Sequence, residues 1–300
     1  MTNTPPVCDY EGSDYQKSFW DEGGRAYEDK AEEIALKRLL PKSGKLMLEI
    51  GAGAGRNTPR YKGYECIVLL DYSRTQLQQA QERLGESGDY IYVAADAYKL
   101  PFVDGLFEGA TMIRTLHHMQ DAPAALKQVR RVLQPAGSFI LEYANKLNLK
   151  AILRYALRKQ DWSPFTLEQV EFVALNFDFH PKAVRQWLDE IGFDLQRQLT
   201  VSHFRIGVIK KLFPAGFLAW LDSLAQLTGD WWQLAPSVFT LNHARGESAI
   251  TVEGAFFQCP QCATPLDDAP EMLICSGCAA KYAVRNGIYD FREPINVQTS

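Results

Sequence analysis

No apolar run in this 300-residue sequence approaches the ~18–20 residues that a bilayer demands, so no membrane-spanning helix is expected. The first residues, Met1-Thr2-Asn3-Thr4-Pro5-Pro6, lack the apolar stretch of a secretory leader, and a cytoplasmic location is the expectation. Positive charge is not in excess. Lys and Arg number 32 against 36 Asp and Glu, for a net charge of −4 and a pI near 5.8, which argues against a general electrostatic grip on nucleic acid. Cysteine is scarce and uneven: four of the six fall between positions 259 and 278. Cys8 and Cys66 stand apart and read as ordinary thiols.

What the sequence has instead is an apolar fraction of 46%, enough for one sizeable core with something smaller attached. The apolar run Leu46-Met47-Leu48 leads through Glu49 and Ile50 into Gly51-Ala52-Gly53-Ala54-Gly55. A turn so tight needs positive φ or bare backbone, and glycine supplies both. Two further apolar runs follow. Ile67-Val68-Leu69-Leu70 ends in Asp71, and Tyr90 to Ala95 ends in Asp96. Three such strands bring an acid or a glycine turn to one edge of a sheet, where open α/β sheets bind nucleotides. The turn is GxGxG, not GxGxxG, and no Lys-Ser/Thr follows it. A ligand with ribose and adenine but no pyrophosphate therefore suits it better than NAD or ATP. Asp71 suits a ribose diol, since a carboxylate accepts two O–H bonds, and Asp96 suits the adenine amino group.

These residues resemble the class I S-adenosylmethionine-dependent methyltransferases, in the broad group that includes the UbiE-type quinone methyltransferases. The likeness spans about residues 46 to 145. It includes Leu100-Pro101-Phe102-Val103-Asp104-Gly105-Leu106-Phe107-Glu108, with Glu108 where the family usually has Asp, then Leu116-His117-His118-Met119, and Val129 to Ser138 around Pro135-Ala136-Gly137. The resemblance implies a Rossmann-like α/β sheet of seven strands with helices on both faces. It implies that Glu49, Gly51, Ala52, Gly53 and Gly55 contact the methionine part of S-adenosylmethionine. Asp71 with Tyr72 would hold the ribose, and Asp96 with Ala97 the adenine. Arg114 and Thr115 would border the methyl group. His117 and His118 follow the fourth strand, where an imidazole is placed to act as general base; the plainer alternative is that one of them packs or caps the turn. No Asn/Asp-Pro-Pro-Tyr/Phe segment follows that strand, which disfavours a nucleobase amino group as acceptor.

Near the other end, Cys259-Pro260-Gln261-Cys262 and Cys275-Ser276-Gly277-Cys278 form two CxxC knuckles with twelve residues between them. Four thiolates so spaced can surround one Zn²⁺. With all four positions filled by protein, the metal would be structural. Two disulfides or a redox CxxC are the rivals; a reducing compartment disfavours the disulfides, and redox motifs do not usually come in such pairs. The stretch from Cys259 to Phe291 resembles the small zinc-ribbon activators of tRNA and protein methyltransferases. Over the tail at 255–295, Lys281, Arg285 and Arg292 stand against five acids, so it is no basic patch.

The expected division is a lid and helix segment over 1–45, a methyltransferase domain over 46–250 and a zinc ribbon over 255–295. Residues 25 to 40 read as an amphipathic helix. The aromatics before it, Tyr10, Tyr15, Phe19 and Trp20, read either as a lid over the cofactor or as a hydrophobic staple. Helices are expected over 75–84, 124–133 and 182–191, and strands over 139–143, 193–204 and 237–241, the last antiparallel by the family pattern. Insertions at about 145–181 and 205–236 are expected above the carboxyl edge of the sheet, where they would set specificity. The first carries Lys146, Lys150, Arg154 and Arg158 at helical spacing. That stripe over 146–158 reads either as a solvated face or as a contact with a membrane surface, a protein or an acidic substrate. The second, with Phe213, Phe217, Trp220, Trp231 and Trp232, either closes the core or forms an apolar pocket or partner surface. His180 is expected to face the lid, and His203 and His243 to sit in strands without evident partners.

Three functions are compatible with this sequence. The foremost is methyl transfer from S-adenosylmethionine to a small apolar or amphiphilic acceptor. The second is an RNA or protein methyltransferase that docks through the zinc module. The third is a cofactor-binding interaction protein without chemistry.

Overall fold

The computed structural model describes residues 5–14, 16–85, 88–246, 254–267 and 269–295; Tyr15 lies outside them. The chain begins with a short π-helical turn, Gln16–Asp21, and helix α1, Ala26–Leu39. Strands β1 (Gly44–Ile50) and β2 (Tyr64–Asp71), helix α2 (Arg74–Leu84), and strands β3 (Tyr90–Ala94) and β4 (Phe107–Met112) follow. Next come α3 (Ala122–Val132), β5 (Leu133–Ala144), α4 (Leu149–Ala156), and the hairpin β6 (Val170–Val173) and β7 (Asn176–Asp178). Helix α5 (Pro181–Ile191), β8 (Phe193–Val201), α6 (Gly207–Leu212), α7 (Ala215–Ala225) and β9 (Ser237–Ala244) complete the expected fold. Among the described residues no helix is long and apolar enough to cross a membrane.

Seven of these strands form a sheet in the order β3-β2-β1-β4-β5-β9-β8. β1 runs parallel to β2 and β4, and β9 is antiparallel to both of its neighbours, as the family pattern implies. Strands buried on both faces read as continuous apolar runs, because each face needs its own helix layer. Alternation assigns the faces. Met47, Ile67 and Leu69 pack with α1, α2 and α7, through Leu36, Leu77 and Leu218. Leu48, Ile50, Val68 and Leu70 pack with α3 and α5, through Leu126, Val129 and Val184. Glu49 and Thr111 thereby fall on the α1 side.

The tail does not hang beside this sheet; it continues it. Strands β10 (Phe257–Gln258) and β11 (Pro265–Leu266) form a knuckle hairpin, followed by β12 (Met272–Ile274), β13 (Lys281–Arg285) and β14 (Ile288–Asp290). β14 pairs parallel with β3, Tyr289 opposite Val93, and β13 and β12 extend the sheet to ten strands. This covers the β3 edge, which would otherwise offer unpaired N–H and C=O groups. The ring of Phe102 lies 4.9 Å from Phe107, 5.9 Å from Phe257 and 6.0 Å from Phe256, so one apolar cluster runs through both parts. Sequence spacing alone had implied a separate small unit with little core of its own; the core is shared.

The insertions and their flanks depart from expectation at several residues. Lys146 is not on the α4 stripe. It precedes the helix, fully buried, with Nζ donating to Glu168 O at 2.6 Å and Thr166 Oγ1 at 3.0 Å. Arg158 lies beyond the helix end with φ of 54°, which leaves Lys150 and Arg154 on α4 itself. The second insertion packs along α1 through α7, and its end, Gln233 to Pro236, meets Asn145 just past β5. Leu218 and Ala219 enter the core there, and buried Asp222 accepts from Tyr27 Oη at 2.9 Å. His203 therefore does have a partner, its Nδ1 lying 2.8 Å from Asp222 Oδ1. His180, expected at the lid, instead caps α5, its Nδ1 accepting from the Lys182 N–H at 3.1 Å.

Because Phe102 touches both halves of the shared core, Phe102→Ala is expected to cost about 3–5 kcal/mol. Denaturant unfolding should report it as an earlier single transition, with the tail and the seven-stranded sheet lost together.

Candidate functional site

The cleft opens at the carboxyl ends of β1 to β4. It encloses about 960 Å³ including its mouth. Its floor is the turn after β1. The N–H groups of Gly51 and Ala52 both donate to Leu70 O, at 2.8 and 3.0 Å, which pins the turn to the end of β2. Gly51 has φ of +70°, and a Cβ there would lie 2.0 Å from Thr115 Oγ1. Gly53, at φ +54°, faces open space: a Cβ would meet only Gln76 Oε1, at 3.9 Å. A ligand can therefore lie directly on the Gly53 backbone. Gly55 does not reach the cleft; it is packed beneath Leu84 of α2.

Asp71 ends β2 with its carboxylate set by two amides, Gly53 N–H to Oδ2 and Ser73 N–H to Oδ1, both at 2.9 Å. Burial raises its pKa and these bonds oppose the shift. Asp96 accepts from the Tyr98 N–H through Oδ1 at 2.9 Å, and burial raises it too. Asp71, Tyr72, Asp96 and Ala97 line the cleft together with Gly51, Ala52, Gly53, Arg114 and Thr115. Two acceptor carboxylates about a bare glycine turn fit an adenosyl sulfonium ligand.

Glu49 is placed elsewhere. Alternation turns it toward α1, where Oε2 accepts from Thr58 Oγ1 at 2.6 Å and Oε1 from Tyr61 Oη at 3.1 Å. It is not among the cleft-lining residues. It braces the turn from behind instead of meeting a ligand. Burial raises its pKa to about 7 against the pull of Thr58, Tyr61 and two arginines.

Of the two histidines, only His118 lines the cleft. Its Nδ1 lies 3.0 Å from Leu175 O, and a carbonyl can only accept, so Nδ1 carries the proton. Nε2 is then an acceptor, 3.2 Å from Tyr10 Oη. Burial lowers the pKa of His118, which keeps it neutral. His117 sits behind it, ring centroids 4.0 Å apart, and burial together with the His118 ring and Arg114 lowers its pKa strongly.

Sequence reasoning missed the wall that α1 supplies. Glu32, sealed from solvent, pairs with Arg56 at 2.8 Å and with Arg114, while Asp29 takes Arg60 at 2.7 Å and also Arg56. Burial alone would raise Glu32, yet Arg114 and Arg56 hold it below its ordinary value. The Arg56 guanidinium lies 3.5 Å over the Trp20 ring, and Trp20, Tyr10 and Cys8 roof the cleft. The N-terminal aromatics thus include two lid residues. The signal available was a set of acids, Glu28 and Glu32, on the apolar stripe of α1 beside Ala31, Ala35 and Leu36. The tail reaches this roof as well. Arg292 donates to Glu11 Oε2 at 3.1 Å and to Tyr72 O at 3.3 Å, and Glu11 accepts from the Arg74 N–H and Thr75 Oγ1.

In the knuckles, the Sγ atoms of Cys259, Cys262, Cys275 and Cys278 lie within 4.8 Å of one another. The pairs Cys259–Cys278 and Cys262–Cys275 are 3.6 and 3.4 Å apart. A tetrahedral ion with bonds of about 2.3 Å needs S···S edges of roughly 3.8 Å. The donor set and spacing fit such an ion, and both knuckles turn alike, Ala263 and Ala279 each at φ 59°.

Residues 48–141 match the family model described as a methyltransferase domain. Similar curated proteins include an O-methyltransferase of Penicillium expansum, 35% identical over 35% of this chain and 40% of its own length. The chain is likewise 29% identical to a ubiquinone/menaquinone biosynthesis C-methyltransferase of Pseudomonas savastanoi, over 59% of this chain and 75% of that protein. The chain thus spans less than half of the fungal O-methyltransferases it matches. Among solved structures, one in the complex of the Haloferax volcanii Trm112 methyltransferase activator with a methyltransferase aligns at TM-score 0.55 and 16% identity, over 77% of this chain and 96% of that one. A methyltransferase from Listeria monocytogenes aligns at TM-score 0.53 and 16% identity, over 73% and 99%. At such identities these neighbours share the fold of the methyltransferase domain.

Glu49 carries a pH prediction. Its folded value of about 7 lies above the ordinary 4.5, so between those pH values the folded state holds a proton that the unfolded chain has lost. Its stabilising share is complete below about pH 4.5 and is lost as pH rises through about 7. Thermal melts of Glu49→Gln should lack that decline, a difference of up to about 3 kcal/mol across the window.

Proposed function

We propose that this chain transfers the methyl group of S-adenosylmethionine to a small apolar or amphiphilic acceptor. The observation that carries the reading is the bare Gly53 backbone facing the Asp71 and Asp96 carboxylates in one cleft. In this reading Asp71 accepts from the ribose hydroxyls, Asp96 and the Ala97 backbone hold the adenine, and Gly51 to Gly53 lie along the amino-acid part. Arg114 and Thr115 stand at the methyl end.

The sulfonium, when bound, supplies an already activated methyl group. The protein's share is alignment and exclusion of water. Tyr10 and Trp20 close the roof, and the Glu32–Arg56–Arg114 cluster stiffens the wall behind them. Neutral His118 presents Nε2 to the cleft with Nδ1–H anchored on Leu175 O. An acceptor hydroxyl that displaced the Tyr10 hydroxyl would lie within reach of that nitrogen, which would take up its proton. The position of His117 behind this ring leaves it a packing role.

The four cysteines would hold one structural Zn²⁺, which fastens the knuckles and so the β12–β14 extension. A metal-bound tail in cis would then keep the β3 edge covered and brace Tyr72 through Arg292. A nucleic-acid acceptor is disfavoured, since Arg292 is taken up by Asp290 and Glu11 and adds no basic surface.

Calorimetric titration with S-adenosylmethionine and S-adenosylhomocysteine, with NAD as control and zinc assayed on the same sample, tests the reading. Selective binding of both sulfur ligands and one zinc per chain are expected, and Asp71→Ala should weaken binding by about 1.5–3 kcal/mol. Unchanged affinity in that variant would overturn the ribose assignment. For an oxygen acceptor, His118→Gln should lower kcat by about 10²–10⁴ with cofactor affinity retained; an unaltered kcat would remove His118 from proton transfer.

A further inference from the structure

The insertions leave an apolar face uncovered. On α7, Phe217, Trp220 and Leu224 are exposed opposite the buried Leu218 and Ala219, and Trp231 and Trp232 beyond it are 77% and 55% exposed. On α4 and at its C-cap, Leu149, Leu153 and Leu157 are all more than half exposed. The two groups adjoin, because the Leu149 N–H donates to Leu234 O at 2.9 Å, two residues past Trp232. Monomeric proteins seldom leave so much apolar surface to water.

The charges on the helical part of this face are cationic, with exposed Asp161 and Asp230 at its margins. Lys150, Arg154, Arg158, Lys159 and Lys211 are exposed, and neither 145–160 nor 203–221 contains a carboxylate, although the whole chain carries −4. No ion pair is formed by these five among the described residues. An isologous dimer through this face would set cation against cation. Exposed leucines, tryptophans at polar margins and interspersed lysines and arginines instead match the anionic lipid interface. The insertion that bears α4 also bears the β6–β7 hairpin whose Leu175 holds His118, so this face and the cleft share one segment.

We propose that the α4 and α6–α7 face seats the protein on an anionic membrane surface, with its apolar side chains in the headgroup region. This rests on the exposed face and not on the methyl-transfer reading, so binding is measured without turnover.

The test is co-sedimentation of the full chain with phosphatidylcholine vesicles, with and without phosphatidylglycerol, alongside tryptophan emission. Partition into the anionic vesicles, a blue shift and release by salt are expected. Lys150→Glu with Arg154→Glu should weaken partition at least about thirtyfold, at roughly 1 kcal/mol for each cation. Trp231→Ala with Trp232→Ala should remove most of the blue shift, while both variants keep the parent melting temperature. Equal, weak partition into both vesicle types would overturn the proposal. So would sedimentation velocity showing a self-associated species that these substitutions dissolve, since the face would then be an interface between copies.

Discussion

The parallel pairing of β1 between β2 and β4 is the constraint on which the cleft depends. It sets Ile50 opposite Leu70 on one side and Met112 on the other. The chain leaving β1 must then turn at once over the strand ends. Gly51 passes so close to Thr115 that no side chain fits, and its N–H is spent on Leu70 O. That turn exposes the Gly53 backbone, and its amide in turn orients Asp71. The floor, the acid at the next strand end and the open space between them are therefore one arrangement.

Charge is handled differently on the two sides of that turn. Behind it, Glu49 sits in an apolar layer with hydroxyl partners, and desolvation dominates its titration. At the cleft wall, Glu32 is just as buried, yet two guanidiniums keep it ionised. A buried carboxylate between two arginines gives weak support to stability, because desolvation offsets much of the attraction. What it does provide is rigidity, since Arg56 and Arg114 are both held where they meet Trp20. The lid thus rests on side chains that α1 has immobilised.

The tail joins the same system through backbone pairing. β14 adds to β3 in parallel register, and the Phe291 N–H donates to Ala94 O at 2.7 Å, at the very end of the strand that leads to Asp96. Arg292 then bridges to the lid through Glu11 and to Tyr72. A knuckle built on four thiols is in this way connected, over one strand and one arginine, to both carboxylate ends of the cleft. Phe102, which the sequence motif places before β4, is what the aromatic residues of the tail pack against.

Local sequence determined the strands, the glycine turn, the acids at two strand ends and the thiol knuckles. Each of these depends on period-two apolar patterning, on φ freedom or on ligand spacing, all of which act over a few residues. Tertiary structure decided the rest. The direction of Glu49 followed from which sheet face its position took, and the fate of Lys146 from a loop carbonyl twenty-two residues away. Glu32 met its arginines only because α1 crosses the turn, and His118 gained its tautomer from Leu175, fifty-seven residues on. The tail became part of the sheet because β3 was left as an open edge. Pairings between distant segments leave no periodic mark in the chain, so their partners emerge only when the layers are packed.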